Sequence, residues 1–541
     1  MARVVRFREH ASTAALGLSL AVAFIWFFTA LSGTTSSWAI GPIRGSFGHA
    51  TLLRFATWAL LAGVWLSPAR ESLVAALGHR LRGALGASFA GAFTLFLAVF
   101  KATQHLSFRT AGYDLSLYHW AVHRVFASPF FSAWGLERNY FSEHASPILF
   151  AFVPAEALFG ALGLVVLEAV VVGLGLVTLF LAARTFDLPP LACGGLALSA
   201  LTLQPTWQAL DFDFHPEAMT LTFAAGLVWA FRRARVSWTV AFAVALLSLK
   251  EDSSLVLVCL ATLLGLVERA RWRWALALVV VGVGWGAFAV GLVIPAALPE
   301  GHTAWRMVAD RYGQWGETSA EVVLALASRP VDVASVLTGP SVRAALGKFA
   351  WLPALDPLAL LASAPLVAVH ALSRYGDQAG LWGYYALPAV AVWFVGAARG
   401  LARLRRVSDA VVVSLAVLPL AMGPVVFAAS WPSEEDIAAR AVLAAWPSDR
   451  TVAAQNALVP HLPVSDRVVR LERWAEADAV VLRPFANAWP LGDDAVADLV
   501  ERLLDTEGFG VASASPALVV LQRGASRERA DEVRGWFRRP Q

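Results

Sequence analysis

The chain has 541 residues, of which 58% are hydrophobic and only 15% charged, with a formal net charge of +4. This composition excludes an ordinary soluble protein, which carries more charge and shorter apolar runs. It also argues against a nucleic-acid surface, because the arginines stand in short clusters at the ends of apolar runs, where orientation signals belong.

Apolar runs approaching the roughly 20 residues needed to cross a bilayer recur through the first four-fifths of the sequence. In chain order they predict spans at 13–31, 51–67, 84–101, 162–183, 188–206, 217–231, 236–249, 253–267, 273–294, 341–353, 357–372, 380–398 and 410–430. The opening MARVVRFREH and the run after it have the pattern of a signal peptide, but so many later spans make it a retained first helix. The run 147–161 reads as a partly inserted helix in an external loop. Cys193 and Cys259 both fall inside apolar runs, so neither a disulfide framework nor a cysteine metal site is expected.

The expected fold is therefore an all-α polytopic membrane protein of about 13 transmembrane helices, followed by a small α/β domain. Residues 1–83 hold extra N-terminal helices, 84–430 the main membrane domain with a large external loop at 102–146, and 431–541 the soluble domain. In that last part DRTVAAQ, ADAVVLRP and PALVVLQR predict strands, and DDAVADLVERLLDTEGF predicts an amphipathic helix ended by Gly508.

Arginine placement orients the spans. With the N-terminus cytoplasmic, Arg3, Arg6 and Arg8, then Arg70, Arg80 and Arg82, Arg232, Arg233 and Arg235, and Arg399, Arg403, Arg405 and Arg406 all fall inside, as the positive-inside rule expects. The C-terminal domain then lies outside. The same count sends Asp114, Glu143 and His144, the stretch DFDFHPE (211–217), KED (250–252) and SRYGDQAGLWGYY (373–385) to the external face.

Each polar cluster has a chemical and a structural reading. Asp114 suits either a general base at a helix exit or a helix N-cap. His119 and His123, one turn apart, suit either a metal or the polar face of an interfacial helix. Glu143 precedes a proline-led helix as a cap would, whereas His144 has less structural reason to be there and suits acceptor binding or acid/base work. In DFDFHPE, extended backbone would point Asp211, Asp213 and His215 to one side, and Pro216 then opens a helix. Asp213, His215 and Glu217 form a candidate ligand set for a divalent cation or a phosphate-bridging metal. Lys250 suits an anionic phosphate, and Glu251 or Asp252 a metal or hydroxyl; an interfacial ion pair of little worth is the plain alternative.

The order Asp114, HASP (144–147), DFDFHPE and KED, with TVAAQNALVPHL (451–462) in the tail, resembles the domain of unknown function 2079 family of bacterial predicted membrane proteins. That family in turn resembles the GT-C glycosyltransferases. The chain departs from the family pattern in having two additional N-terminal spans, and in carrying Gly383-Tyr384-Tyr385 where a His-Tyr pair is usual.

The resemblance implies a bacterial inner (cytoplasmic) membrane enzyme that moves a sugar from a polyprenyl-phosphate-linked donor, entering from the bilayer, to an extracytoplasmic lipid, glycan or protein. Asp114 would be the base. Glu143, His144, Asp211, Asp213, His215 and Glu217 would position acceptor or metal, and Lys250, Glu251, Asp252 and Tyr384 would hold the donor phosphate. The implied cofactor is a divalent cation, Mg or Mn. A membrane transporter or lipid flippase is the alternative, since carboxylates and histidines also build ion paths. Against it, the charges collect at one face and no inverted repeat is visible. A non-catalytic scaffold leaves DFDFHPE and KED unexplained.

Overall fold

The computed structural model describes residues 11–23, 25, 36–40, 43–47, 49–81, 83–127, 130–135, 138–299, 310–422, 429–486 and 488–538. Residues 26–31 of the expected span 13–31, residues 423–428 of the span 410–430, and Arg3, Arg6, Arg8 and Arg82 lie outside the described residues. The chain packs as two compact units. One, here the helical unit, comprises Met1–Phe100, Phe141–Ile148 and Glu168–Ala429; the other, the sheet unit, comprises Lys101–Tyr140, Leu149–Leu167 and Ser430–Gln541.

Four helices have the length and hydropathy to cross a bilayer alone: Ala84–Leu106, Ala161–Arg184, Arg269–Ala297 and Gly383–Leu404. The pair Ala320–Ser328 and Pro330–Lys348, bent by 86°, would make a fifth if it acts as one broken span. The sequence leads one to expect about 13 crossings, and the described helices do not bear out that count. The other expected spans are shorter helices, among them Pro190–Thr202, Val236–Leu247, Ser253–Val267 and Pro357–Ala371. Proline sets several of these starts, at Pro190, Pro330, Pro340 and Pro357, where its missing N–H breaks no intrahelical bond. A 15-residue helix such as Ser253–Val267 rises only about 22 Å, against a hydrocarbon core of about 30 Å.

Two further local differences stand out. The stretch between the expected spans 273–294 and 341–353 is partly helical, at Ser319–Ser328 and Pro330–Leu337. A hairpin of β1 (Ser36–Ile40) and β2 (Ile43–Phe47) precedes the helix His49–Leu66. The run 147–161 forms a 3-10 turn Pro147–Phe152 and a short helix Val153–Phe159.

Burial separates the roles of the long helices. In Gly383–Leu404, 89% of the apolar window is enclosed by protein, whereas in Arg269–Ala297 only 22% is. The second helix turns Leu276, Val280 and Val283 outward, and contiguous apolar surface of that kind suits lipid and not water. Beside the enclosed helix, Asp356 is buried and compensated by Arg399 at 2.5 Å and Arg403 at 3.4 Å. These arginines, read from sequence as orientation signals, thus also satisfy a carboxylate that would be costly alone.

The sheet unit is a five-stranded mixed sheet in the order β4-β3-β5-β7-β6. Its strands are β3 (Val452–Ala454), β4 (Val468–Arg470), β5 (Ala479–Leu482), β6 (Phe509–Ser515) and β7 (Leu518–Arg523). β3 runs parallel to β4 and β5, and β7 antiparallel to β5 and β6. The predicted helix forms at Asp493–Asp505, and Gly508 follows it with φ +74°, backbone that glycine adopts without steric cost. Val496, Leu499, Val500, Leu503 and Leu504 at helical spacing bury its stripe against Val480, Leu482, Val519 and Leu521.

A second core is made by Phe108, Trp120 and Trp134 with Leu458, Val459, Val468 and Val520, and Trp134 Nε1 donates to the Val468 carbonyl at 3.0 Å. Residues 101–140 therefore pack with the C-terminal sheet in one compact unit.

Within this unit the His461 ring stacks on His105 at 4.3 Å, and its Nε2 is enclosed with no partner among the described residues. Burial, then the neighbouring His105, Arg440 and Arg483, hold its pKa well below the usual 6.5. The unfolded chain therefore takes up a proton first as pH falls, so stability is complete above 6.5 and is lost below it. The limiting slope is about 1.4 kcal/mol per pH unit. Amide exchange at β3 and β5 in the full chain should accelerate from pH 7.5 to about 5, and His461→Phe should flatten that response. An unchanged pH response in the variant would locate the titration elsewhere.

Candidate functional site

The site in the helical unit starts from a residue that hydropathy hides. Glu168 sits within the apolar helix Ala161–Arg184, fully buried, and its Oε1 accepts the backbone N–H of His215 at 2.8 Å. That bond pins the DFDFHPE stretch. The helix Gln204–Asp211 ends just before it, and Phe212 and His215 take extended backbone. Asp213, Phe214, His215 and Glu217 are all buried, while Asp211 is only half-buried. Pro216 then opens a 3-10 turn, Pro216–Met219, leading into the helix Thr220–Arg232.

From this anchored segment two side chains reach onto neighbouring elements. The His215 ring stacks on Tyr384, with centroids 4.4 Å apart and planes 15° from parallel. Tyr384 Oη is 3.3 Å from Tyr385 Oη, and Gly383 N–H donates to Gln208 Oε1 at 3.3 Å, which ties this turn to the preceding helix. Glu217 Oε1 accepts from Lys250 Nζ at 2.8 Å. Both partners of that ion pair are largely buried, with side-chain exposures of 7% and 12%, so it differs from the weak interfacial pair that sequence leaves open.

Lys250, Glu251 and Asp252 form the tight turn between the helices Val236–Leu247 and Ser253–Val267. Glu251 clamps the loop that follows Glu143. Its Oε1 accepts from His144 Nδ1 at 2.9 Å and its Oε2 from the Ala145 N–H at 3.0 Å. Ile148 N–H closes the same contact on the Ser248 carbonyl at 2.9 Å. HASP and KED, more than a hundred residues apart in sequence, are thereby joined.

The electrostatics follow from burial and neighbours. Burial opposes charge on Lys250, but Glu217, Asp252 and Glu251 outweigh it and hold the ammonium well above its usual range. Burial likewise opposes charge on Glu251, and the His144 contact overcomes this and brings the carboxyl down to about 2. Asp252 goes the other way. Burial raises it, Lys250 opposes, and the adjacent Glu251 and Glu217 push it up to about 6. Among the described residues of this site, Lys250 is a fixed cation set among carboxylates, and Asp252 is the carboxyl pushed toward its protonated form.

Of the residues singled out from sequence, His144, His215, Glu217, Lys250, Glu251 and Tyr384 are connected by these contacts, and Asp252 adjoins them in the turn. Glu143, half-buried, precedes His144. Asp213, His215 and Glu217 do not converge as a three-donor ligand set, because Glu217 turns to Lys250 and His215 to Tyr384. Asp114 belongs to the sheet unit, in a turn of π-helix at Gly112–Ser116. There the Tyr113 N–H donates to Asn456 Oδ1 at 2.9 Å, and Gly112 lies so close to Val459 and Asn456 that a Cβ would not fit. Glu168 is the residue that sequence reasoning missed. A lone carboxylate inside a long apolar helix is the signal that points to it.

A family profile described as predicted membrane protein, DUF2079, matches residues 104–490. The chain belongs to the DUF2079 family. The DUF2079 match contains every candidate site residue from Asp114 to Tyr384, and Glu168 among them. No curated protein matches the sequence. Among solved structures, the crystal structure of ArnT from Cupriavidus metallidurans bound to undecaprenyl phosphate is similar at 16% identity, over 85% of this chain and 100% of that one, with a TM-score of 0.48. The apo state of the same protein is similar at 15% identity, over 81% and 100% of the two chains, with a TM-score of 0.44.

Proposed function

We propose that this DUF2079 protein is a multi-pass glycosyltransferase that moves a sugar from a polyprenyl-phosphate-linked donor to an extracytoplasmic acceptor. The observation that carries the reading is Lys250, a buried ammonium held charged by carboxylates at the turn between two apolar helices. A lipid phosphate brought to the end of membrane helices needs such a fixed cation as its leaving-group charge develops. Lys250 commits one contact to Glu217 and has further N–H donors to offer.

The reaction balances with groups of this chain. The acceptor oxygen attacks the anomeric carbon, its proton passes to Asp114, and the bond between that carbon and the phosphate oxygen breaks. The electron pair leaves with the phosphate, whose charge Lys250 offsets. Direct displacement of this kind inverts the anomeric centre and requires no covalent enzyme intermediate. Asp114 has the base role through the resemblance of the family to GT-C enzymes.

A magnesium or manganese ion is compatible with the carboxylate surplus around Asp252. The residues provide no preformed three-ligand cage here, and magnesium characteristically takes one or two carboxylates with phosphate oxygens completing its shell. Asp252 is the residue that would contribute, and the ion would supply neutralisation of the donor phosphate.

The test uses the host cell and the full chain. Cells carrying Asp114→Asn or Lys250→Met are expected to lose a glycosylated envelope lipid or glycan that wild-type cells make, resolved by mass spectrometry of the envelope. Unchanged envelope glycans together with reduced efflux of a solute would overturn the enzyme reading and support a transporter.

A further inference from the structure

A different cluster, in the sheet unit, carries a separate conclusion. The helix Leu117–His123 places His119 and His123 one turn apart, so both imidazoles leave the same face. The helix Val153–Phe159 brings Glu156 opposite them. Glu156 Oε1 lies 3.2 Å from His119 Nε2 and 2.8 Å from His123 Nδ1, and one donor atom from each residue falls within 4.8 Å of the others.

We infer that His119, His123 and Glu156 form a transition-metal site, of zinc type by its donors, in the sheet unit of this protein. Two imidazole nitrogens and one carboxylate oxygen are ligands that zinc accepts, and ligand bonds of about 2.0–2.1 Å in a tetrahedron set neighbouring donors about 3.4 Å apart. The two oxygen–nitrogen separations would open by about 0.2 and 0.6 Å to reach that spacing, and the two nitrogens already lie within 4.8 Å of each other. Magnesium and calcium prefer oxygen, so a site with two nitrogens selects against them.

Charge distinguishes this from a plain hydrogen-bonded triad. Glu156 is 7% exposed, in an otherwise apolar segment, VPAEALF. Among the described residues it pairs with no lysine or arginine, only with the two imidazoles. A buried carboxylate with no lysine or arginine beside it is costly, and a divalent cation between the three donors offsets that cost.

The site is also accessible. His119 and Glu156 are buried, while the His123 side chain is 51% exposed, so an ion can enter from that side. Gly160, which ends the Glu156 helix, leaves the neighbourhood of His119 Nε2 clear, since a Cβ there would lie 3.8 Å away. Three protein ligands and an open side leave a fourth position for water or for an oxygen of a bound molecule.

The decisive measurement is metal binding to the full-length protein in detergent, purified without a histidine tag, stripped with a chelator and titrated with cobalt(II) and then zinc. The wild-type chain should bind one equivalent, give visible cobalt absorption of a four-coordinate site, and lose it on zinc addition. His123→Ala changes the exposed ligand and Glu156→Gln keeps the shape of the buried one, and each should weaken binding by about tenfold or more. Thermal unfolding of the stripped variants would show that each has folded. A wild-type chain that binds clearly less than one equivalent, or folded variants that bind as wild type does, would overturn the assignment.

Discussion

Replacing Lys250 with methionine is expected to lower the stability of the full-length protein by about 3–5 kcal/mol, because it leaves Glu217 buried without its counter-charge. Adding Glu217→Gln should restore most of that loss. Removing both charges from a buried pair is commonly neutral or better, whereas removing one is not. The double variant separates structure from function. If Lys250 holds the donor phosphate, the restored protein should still bind a short-chain polyprenyl phosphate about 10- to 100-fold more weakly than wild type, the value of about 1.5–3 kcal/mol for a hydrogen bond to a charged group. Thermal unfolding and lipid-phosphate titration in detergent measure the two effects independently. Wild-type binding by the double variant would remove Lys250 from the donor site. Wild-type melting by the single variant would show that the pair contributes nothing to the fold.

The parts of this site that could be read from sequence are those where chemistry stands out against composition. DFDFHPE and KED are legible because ionisable residues are rare in a chain that is 58% hydrophobic. Their partners are harder to see. Nothing local says that Glu251 clamps His144 and Ala145, or that His215 stacks on Tyr384, since those contacts join distant segments. Tyr384 has no histidine next to it in the sequence, and the imidazole it stacks on is that of the distant His215. Glu168 was lost in the opposite way, averaged into the high hydropathy of its own helix.

The same contrast holds for the fold. β3, β5, β7 and the helix Asp493–Asp505 announce themselves by pattern, whereas β4 offers only Val468 and Val469 between arginines, and β6 is rich in small and polar residues. Phe108, Trp120 and Trp134 lie in the stretch 102–146 that the sequence presents as a loop, but they build a core with Leu458 and Val468. Expected crossings such as 236–249 and 253–267 form helices of only 12 and 15 residues, which is why the expected crossings outnumber the long helices.

Glu251→Ala is expected to release the loop that carries His144. The substitution deletes the acceptor of the His144 imidazole and of the Ala145 N–H together. At about 1.5–3 kcal/mol for each hydrogen bond to a charged group, the combined loss is about 3 kcal/mol or more, and amide exchange at Ala145 and Ile148 should accelerate accordingly. Glu251→Gln provides the electrostatic counterpart. Burial and the neighbouring carboxylates raise Asp252 to about 6 from a usual 3.8, so the folded chain binds its proton more tightly than the unfolded chain does. The corresponding stability is fully present below 3.8 and is lost as pH rises through about 6. Removing the Glu251 charge should draw the upper limit of that window downward and flatten the fall in melting temperature between about pH 4 and pH 7. A Glu251→Gln profile superimposable on wild type would show that Asp252 is not governed by its neighbour, and unaltered exchange at Ala145 in Glu251→Ala would show that the loop is held by something else.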